Sequence, residues 1–139
     1  MDALELVRLY AKAWNNLSYE IIQPYLSDDV RFTSQVILEE LSGKLAVEEY
    51  LLGKFAAIKR ALGTSDVYAE VGYCGKDERG PIALFGYEGR PCILFAQGDI
   101  SKVMALVLLE VDSGFITSIS VCTIAPNPQL ATRTGEYPE

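Results

Sequence analysis

The 139-residue sequence contains no histidine, and this absence limits the chemistry that the chain can perform. It excludes Ser-His-Asp and Cys-His nucleophile systems, histidine general bases and histidine-ligated metals. Only three cysteines are present, Cys74, Cys92 and Cys122, and no pair of them has the CxxC spacing of a metal or redox site. We therefore expect buried free thiols, no metal and no organic cofactor.

Basic residues and long apolar runs are also scarce. The chain has 12 Lys and Arg against 19 Asp and Glu, which gives a net charge of −7. Because an acidic surface repels phosphate backbones and anionic lipids, we expect neither nucleic acid nor a membrane surface as a partner. The sequence opens without a basic and apolar leader, and its longest apolar run, residues 103–109, is too short to span a membrane. These features predict a cytoplasmic protein.

The sequence contains enough apolar residues for one domain with a sizeable core. Half of the residues are hydrophobic, as in ordinary globular proteins. We expect the domain to cover residues 1–124. The remaining residues, 125–139, contain three prolines and show little periodicity, which predicts an extended C-terminal tail.

Helical periodicity is concentrated at the front of the chain and strand signals at the back. Three helices are predicted, over residues 2–17, 19–26 and 44–62. Strands are predicted over residues 30–38, 67–74, 82–88, 92–97, 102–111 and 115–124. The last two strands are joined by the hairpin signal Asp112-Ser113-Gly114. This order predicts an α+β fold with helices on one face of a strongly curved mixed or antiparallel sheet.

The strand predicted over 102–111 is apolar on both faces, although a strand covered on one side should alternate. The helices already cover one face of the sheet, so we expect a second copy of the chain to cover the other face. We therefore predict a homodimer through the outer sheet face, formed by Val103, Ala105, Val107 and Leu109.

The ordered set of signals resembles the nuclear transport factor 2-like superfamily, and its SnoaL-like branch most. The set includes Asp28-Asp29-Val30 before the first strand, Gly43 before the long helix, and the hairpin that begins at Asp112. The resemblance covers residues 3–124 and implies a cone-shaped sheet packed on three N-terminal helices around a pocket, often in a dimer. Members include polyketide cyclases, ketosteroid isomerases, dehydratases, epoxide hydrolases and binding domains, so the fold leaves the function open.

Alignment with the ketosteroid isomerases tests one of these activities. It places Tyr10 at the oxyanion-hole tyrosine, the general base at Ser34 and the second oxyanion donor at Leu106. Ser34 is not a carboxylate base, and Leu106 donates no hydrogen bond. SnoaL-type cyclases use an Asp with a His, and the chain has no His. We therefore expect no ketosteroid isomerase activity, and no catalytic residue is assigned.

The same alignment assigns the residues that face the pocket. They are mostly aromatic or aliphatic and comprise Tyr10, Trp14, Phe32, Ser34, Leu51, Phe55, Met104, Leu106, Ile119, Val121 and Thr123. This composition predicts binding of a small, largely apolar molecule. Two alternatives stay open. One is an enzyme of the cyclase, isomerase or dehydratase kind, with Tyr10 as donor and an unplaced carboxylate as base. The other is a dimeric interaction module with a solid core.

Overall fold

Seven strands, two α-helices and two 3₁₀ turns make up the part of the chain that the computed structural model describes, residues 1–34, 40–63, 66–75, 87–123 and 131–139. The helices are α1 (Ala3–Asn16) and α2 (Lys44–Arg60), and the 3₁₀ turns are Tyr19–Ile21 and Gln23–Tyr25. The strands are β1 (Leu26–Ser34), β2 (Glu40–Ser42), β3 (Val67–Cys74), β4 (Pro91–Gln97), β5 (Val103–Asp112), β6 (Phe115–Thr123) and β7 (Ala131–Glu136). Most of the strand predicted over 82–88 lies outside the described residues.

The strands form one mixed sheet in the order β2-β1-β6-β5-β4-β3-β7. β1 and β6 are parallel, and every other neighbouring pair is antiparallel. The predicted α+β class is confirmed. The second predicted helix is replaced by the two 3₁₀ turns, and Pro24 lies in the second of them, where its missing N–H prevents a regular helix.

Helix α1 begins where the sequence predicts. The Asp2 carboxylate accepts a hydrogen bond from the Glu5 backbone N–H at 2.8 Å, and the Asp2 N–H donates to the Glu5 carboxylate at 3.2 Å, which completes a capping box. The helix buries one stripe, Leu6, Val7, Tyr10, Ala11 and Ala13, in the main core between the helices and the inner face of the sheet. Neither described α-helix is long and apolar enough to cross a membrane.

The β5–β6 hairpin has the predicted two-residue turn, but a bulge behind it changes which residues share a face. Ser113 and Gly114 both have positive φ, 54° and 82°, as a type I′ turn requires. Glu110 then pairs with Ser118 while Val111 pairs with Ile116, so β6 carries one extra residue. A shift of one residue exchanges the faces of a strand, and Val107 rather than Leu106 lies opposite Val121.

This exchange corrects the predicted inward position of Leu106 and the predicted dimer surface. Ala105, Val107 and Leu109 turn toward the helices, and Val107 and Leu109 are part of the main core. The outer face instead holds a second apolar cluster, which is buried within one chain and consists of Cys74, Cys92, Leu94, Leu106, Leu108 and Cys122. Tyr87, Val103 and Ala131 pack against it. The apolar outer residues of β5 therefore need no second copy to cover them.

The described part of the predicted extended tail, residues 131–139, contains a strand that belongs to the sheet. Strand β7 pairs with β3, and residues 124–130 lie outside the described part. The buried Glu70 carboxylate accepts hydrogen bonds from Arg133 Nε at 2.9 Å and from the Gly135 N–H at 2.7 Å. The Asn15 side-chain amide of α1 donates to the carbonyls of Ala69 and Pro138, each at 2.8 Å. These contacts attach the C-terminal strand to both β3 and α1.

Candidate ligand-binding cavity

A cavity of about 350 Å³ lies between the two helices and the inner face of the sheet. Helix α1 contributes Tyr10 and Trp14. Helix α2 contributes Tyr50, Lys54, Ala57 and Ile58, and Ala61 follows the helix directly. The strands and the residues next to them contribute Phe32, Val67, Phe95, Ala96, Gln97, Met104, Ala105, Val107 and Val121. The volume lies at the lower end of the range for small-molecule sites.

Trp14 is the centre of an aromatic cluster at the cavity wall. Its ring centroid lies 4.9 Å from those of Phe55 and Phe95, with interplanar angles of 87° and 73°. Tyr10 is 6.4 Å away at 56°. Edge-to-face pairs of this kind are favourable beyond the area that they bury. Because α1 and β4 both contribute to the cluster, it fixes this side of the wall.

The cavity face of α2 lies beside the face that enters the core. Val47, Leu51 and Phe55 are buried at successive turns. The neighbouring row, from Tyr50 through Lys54 to Ile58, lines the cavity at a spacing of four residues. The prediction that Leu51 and Phe55 line the cavity therefore does not hold, since they form the layer behind its wall.

Polarity rises from the inner end of the cavity to its mouth. Tyr10, Phe32 and Val107 are buried, whereas Lys54 and Gln97 are exposed. Burial raises the pKa of the Tyr10 hydroxyl, an effect that the neighbouring Trp14 side chain partly opposes, so Tyr10 stays protonated at neutral pH. Burial also raises the pKa of Tyr50. The indole N–H of Trp14 is buried and has no hydrogen-bond partner within the described part of the chain.

Five of the residues predicted for the pocket line this cavity: Tyr10, Trp14, Phe32, Met104 and Val121. Met104 does so because a second irregularity pairs Phe95 with Ala105 and Ala96 with Val103, which leaves Met104 as an extra residue in β5. Ile119 is in the core, and Leu106 is on the opposite sheet face. Ser34 and Thr123 are not among the lining residues.

Sequence reasoning missed most of the α2 and β4 part of the wall. The residues concerned include Tyr50, Lys54, Phe95 and Gln97. Helical spacing contained a usable signal, because Tyr50, Lys54, Ala57, Ile58 and Ala61 follow the i, i+4, i+7, i+8, i+11 pattern of one face. Because Lys54 is polar, this row does not stand out as an apolar face in the sequence. Simple alternation predicts Ala105 and Val107 on the outer face of the sheet, because the bulge in β6 has no sequence signature.

The described residues at the wall offer hydroxyl, amide, indole, ammonium and apolar groups. None of the described residues that line the cavity is Asp or Glu. Within the described ranges, no three His, Cys, Asp or Glu side chains are placed to hold a metal ion. The described part of the wall can therefore donate hydrogen bonds from its two tyrosines, from the Trp14 indole and from the Gln97 amide, and it offers one cation; its remaining surface suits apolar contact.

Comparison with known proteins supports the fold. No protein-family profile and no curated protein matches the sequence. Among solved structures, a SnoaL-like protein of unknown function from Burkholderia thailandensis is similar with a TM-score of 0.59 at 16% identity, over 86% of this chain and 91% of that one. An NTF2-like protein of unknown function from Mesorhizobium loti has a TM-score of 0.57 at 12% identity, over 86% and 88%.

A third similar structure has an assigned activity. It is an LEH-like epoxide hydrolase of M. tuberculosis, with a TM-score of 0.53 at 18% identity, over 86% of this chain and 80% of the hydrolase. The predicted resemblance is thus confirmed at the level of the fold: the chain has the nuclear transport factor 2-like, SnoaL-like architecture. At sequence identities this low, the activity of a similar structure is not evidence for the activity of this chain.

Proposed function

We propose that this protein binds a small, largely apolar molecule in the cavity between α1, α2 and the inner sheet face. The observation that carries the proposal is the wall itself, whose inner end combines Tyr10, Trp14, Phe32 and Val107. Replacing water at such a surface with an apolar molecule is favourable by roughly 25 cal/mol per Å² of apolar area removed from water. The tyrosine hydroxyls supply the few polar contacts that orient a ligand.

The alternative of an enzyme of the cyclase, isomerase or dehydratase kind has less support from this wall. Proton abstraction beside a carbonyl needs a base close to the substrate, usually a carboxylate when histidine is lacking. The described lining residues include Tyr10 as a hydrogen-bond donor but no carboxylate. We therefore propose binding as the activity of the site.

The test uses N-phenylnaphthylamine, a neutral apolar dye whose fluorescence rises in apolar surroundings. The variant Ala57→Trp places a large side chain at the cavity lining, and Ala56→Trp places it at the adjacent exposed position of α2, outside that lining. We expect the wild-type protein to bind the dye and Ala57→Trp to weaken binding about tenfold. Ala56→Trp should change it by less than about twofold.

Two results would contradict the proposal. One is that the wild-type protein does not bind the dye. The other is that both tryptophan variants bind it equally well, which would place the dye outside the cavity. Native mass spectrometry of the purified protein adds an independent readout, because a ligand retained from the cell appears as extra mass on the folded protein and is absent from the denatured chain.

A further inference from the structure

One charged side chain, Lys54, lies among the described residues of the cavity wall. It projects from the cavity face of α2, one turn after Tyr50 and one turn before Ile58. Its Nζ atom is 5.9 Å from the centroid of the Tyr50 ring. That distance is at the outer limit of a cation–π contact, so the ring contributes little to holding the ammonium group.

Lys54 has no acidic partner among the described residues. No Asp or Glu oxygen there lies within 4.0 Å of its Nζ atom. The helix supplies none, because the residues three and four positions away are Tyr50, Leu51, Ala57 and Ile58. Lys54 shares this lack of an ion pair with the other described lysines, and it differs from them in lining the cavity.

From this arrangement, and resting on the proposed function, we infer that the ligand is an apolar acid: its apolar body lies against the inner aromatic wall and its anionic group lies beside Lys54 at the mouth. The position of the charge suits that orientation. Lys54 and Gln97 are exposed, whereas Tyr10, Phe32 and Val107 are buried at the other end. An anion at the mouth keeps part of its hydration, so the apolar body can enter without the cost of burying a charge.

The local electrostatics favour an acid over a base of the same shape. No described lining residue is a carboxylate that would repel an anion, and one described lining residue, Lys54, is a cation. A cationic ligand would meet the Lys54 ammonium group at the mouth with no compensating charge. The exposed Gln97, which also lines the cavity, has a side-chain amide that can donate a hydrogen bond to an anionic group.

The test compares three probes with the same alkyl chain, decanoate, decanol and decylamine, by isothermal titration calorimetry below the solubility limit of decanol and below the micelle-forming concentrations of the two ions. The variant Lys54→Met removes the charge and keeps a linear side chain that favours helix. The matched control, Lys59→Met, removes an exposed charge from the last turn of the same helix, outside the cavity lining. Dye binding to each variant reports whether the cavity is intact.

We expect the ratio of decanoate to decanol affinity to fall about fivefold in Lys54→Met and to stay unchanged in Lys59→Met, as for the loss of one partly exposed ion pair. Decylamine should bind most weakly to the wild-type protein. Added salt should weaken decanoate binding and leave decanol binding unchanged.

Two outcomes overturn the inference in distinguishable ways. If the dye and decanol bind but the decanoate-to-decanol ratio is the same in the wild-type protein and Lys54→Met, the acid preference is wrong and the cavity proposal stands. If neither the dye nor any of the three probes binds, the proposed function fails and the inference fails with it.

Discussion

The buried carboxylate of Glu70 offers the sharpest test of how the C-terminal strand is held. Its side chain is 2% exposed and accepts two hydrogen bonds, from Arg133 Nε and from the Gly135 N–H. Glu70→Gln keeps the size of the side chain and removes its charge. A glutamine amide has one accepting oxygen and one donating nitrogen, so one of the two donors directed at it loses its acceptor.

The magnitude follows from these contacts. A hydrogen bond to a charged group contributes about 1.5–3 kcal/mol to stability. Removing one partner of a fully buried ion pair costs about 3–5 kcal/mol. The Arg133 side chain is 41% exposed, so water can solvate the guanidinium group after the change and the cost lies below the fully buried figure. We expect the free energy of unfolding to fall by about 2 kcal/mol.

Urea unfolding followed by circular dichroism measures this loss, which corresponds to a midpoint about 1 M lower for a domain of this size. Glu136→Gln is the matched control in the same strand, because Glu136 forms an exposed pair with Arg8 at 2.8 Å. We expect that control to leave the midpoint unchanged within error. Hydrogen exchange should also become faster in β7 and the paired part of β3 in Glu70→Gln. Equal midpoints for the two variants and the wild-type protein would refute the reasoning.

Three further predictions concern the core and the cavity wall. A Cβ added at Gly72 would lie 2.6 Å from Leu94 Cδ1 and 3.0 Å from the Thr132 carbonyl oxygen, so we expect Gly72→Ala to lower the free energy of unfolding by about 1–3 kcal/mol, and the double change with Leu94→Ala to show less than the sum of the two single losses. Because burial raises the pKa of Tyr10 above its ordinary value of 10.0, its contribution to stability is complete below that pH and is lost as the pH rises further. The stability difference between wild type and Tyr10→Phe should therefore shrink as the pH rises from about 9.5 to about 11 in urea titrations, and an unchanged difference would count against a buried hydroxyl. Trp14→Ala should cost about 3–5 kcal/mol and abolish dye binding, measured by circular dichroism since it removes the one tryptophan of the chain; full stability with intact dye affinity would contradict its place at the centre of the wall.

Local sequence signals were sufficient for most of the elements that lie within the described residues. The Asp2 and Glu5 capping box, the long α2 helix after Gly43 and the Ser113-Gly114 turn depend on contacts between residues close in sequence, and each is present. The helical periodicity of residues 2–17 likewise agrees with a helix that buries one stripe of residues. These features can be read from the sequence because hydrogen bonds and backbone preferences within a few residues determine them.

The faces of β5 could be decided only in the folded sheet. The pairing of Glu110 with Ser118 and of Val111 with Ile116 depends on how two strands twist against each other, and it moved Val107 to the cavity and left Leu106 on the outer face. A one-residue register shift is invisible in a strand that is apolar on both faces, because either register buries apolar side chains. For the same reason three of the four residues predicted for the dimer surface, Ala105, Val107 and Leu109, lie on the inner face, whereas Val103 packs on the outer face.

The sequence by itself determined the class of fold, the order of its elements and the apolar character of the cavity, since these follow from periodicity, capping and composition. The tertiary structure alone decided which helix face and which strand face meet at the cavity, where Lys54 stands relative to the aromatic wall, and that β7 closes the sheet edge through Glu70 and Arg133. Those outcomes depend on contacts between residues far apart in the chain, such as Glu70 with Arg133, and no local pattern encodes their register.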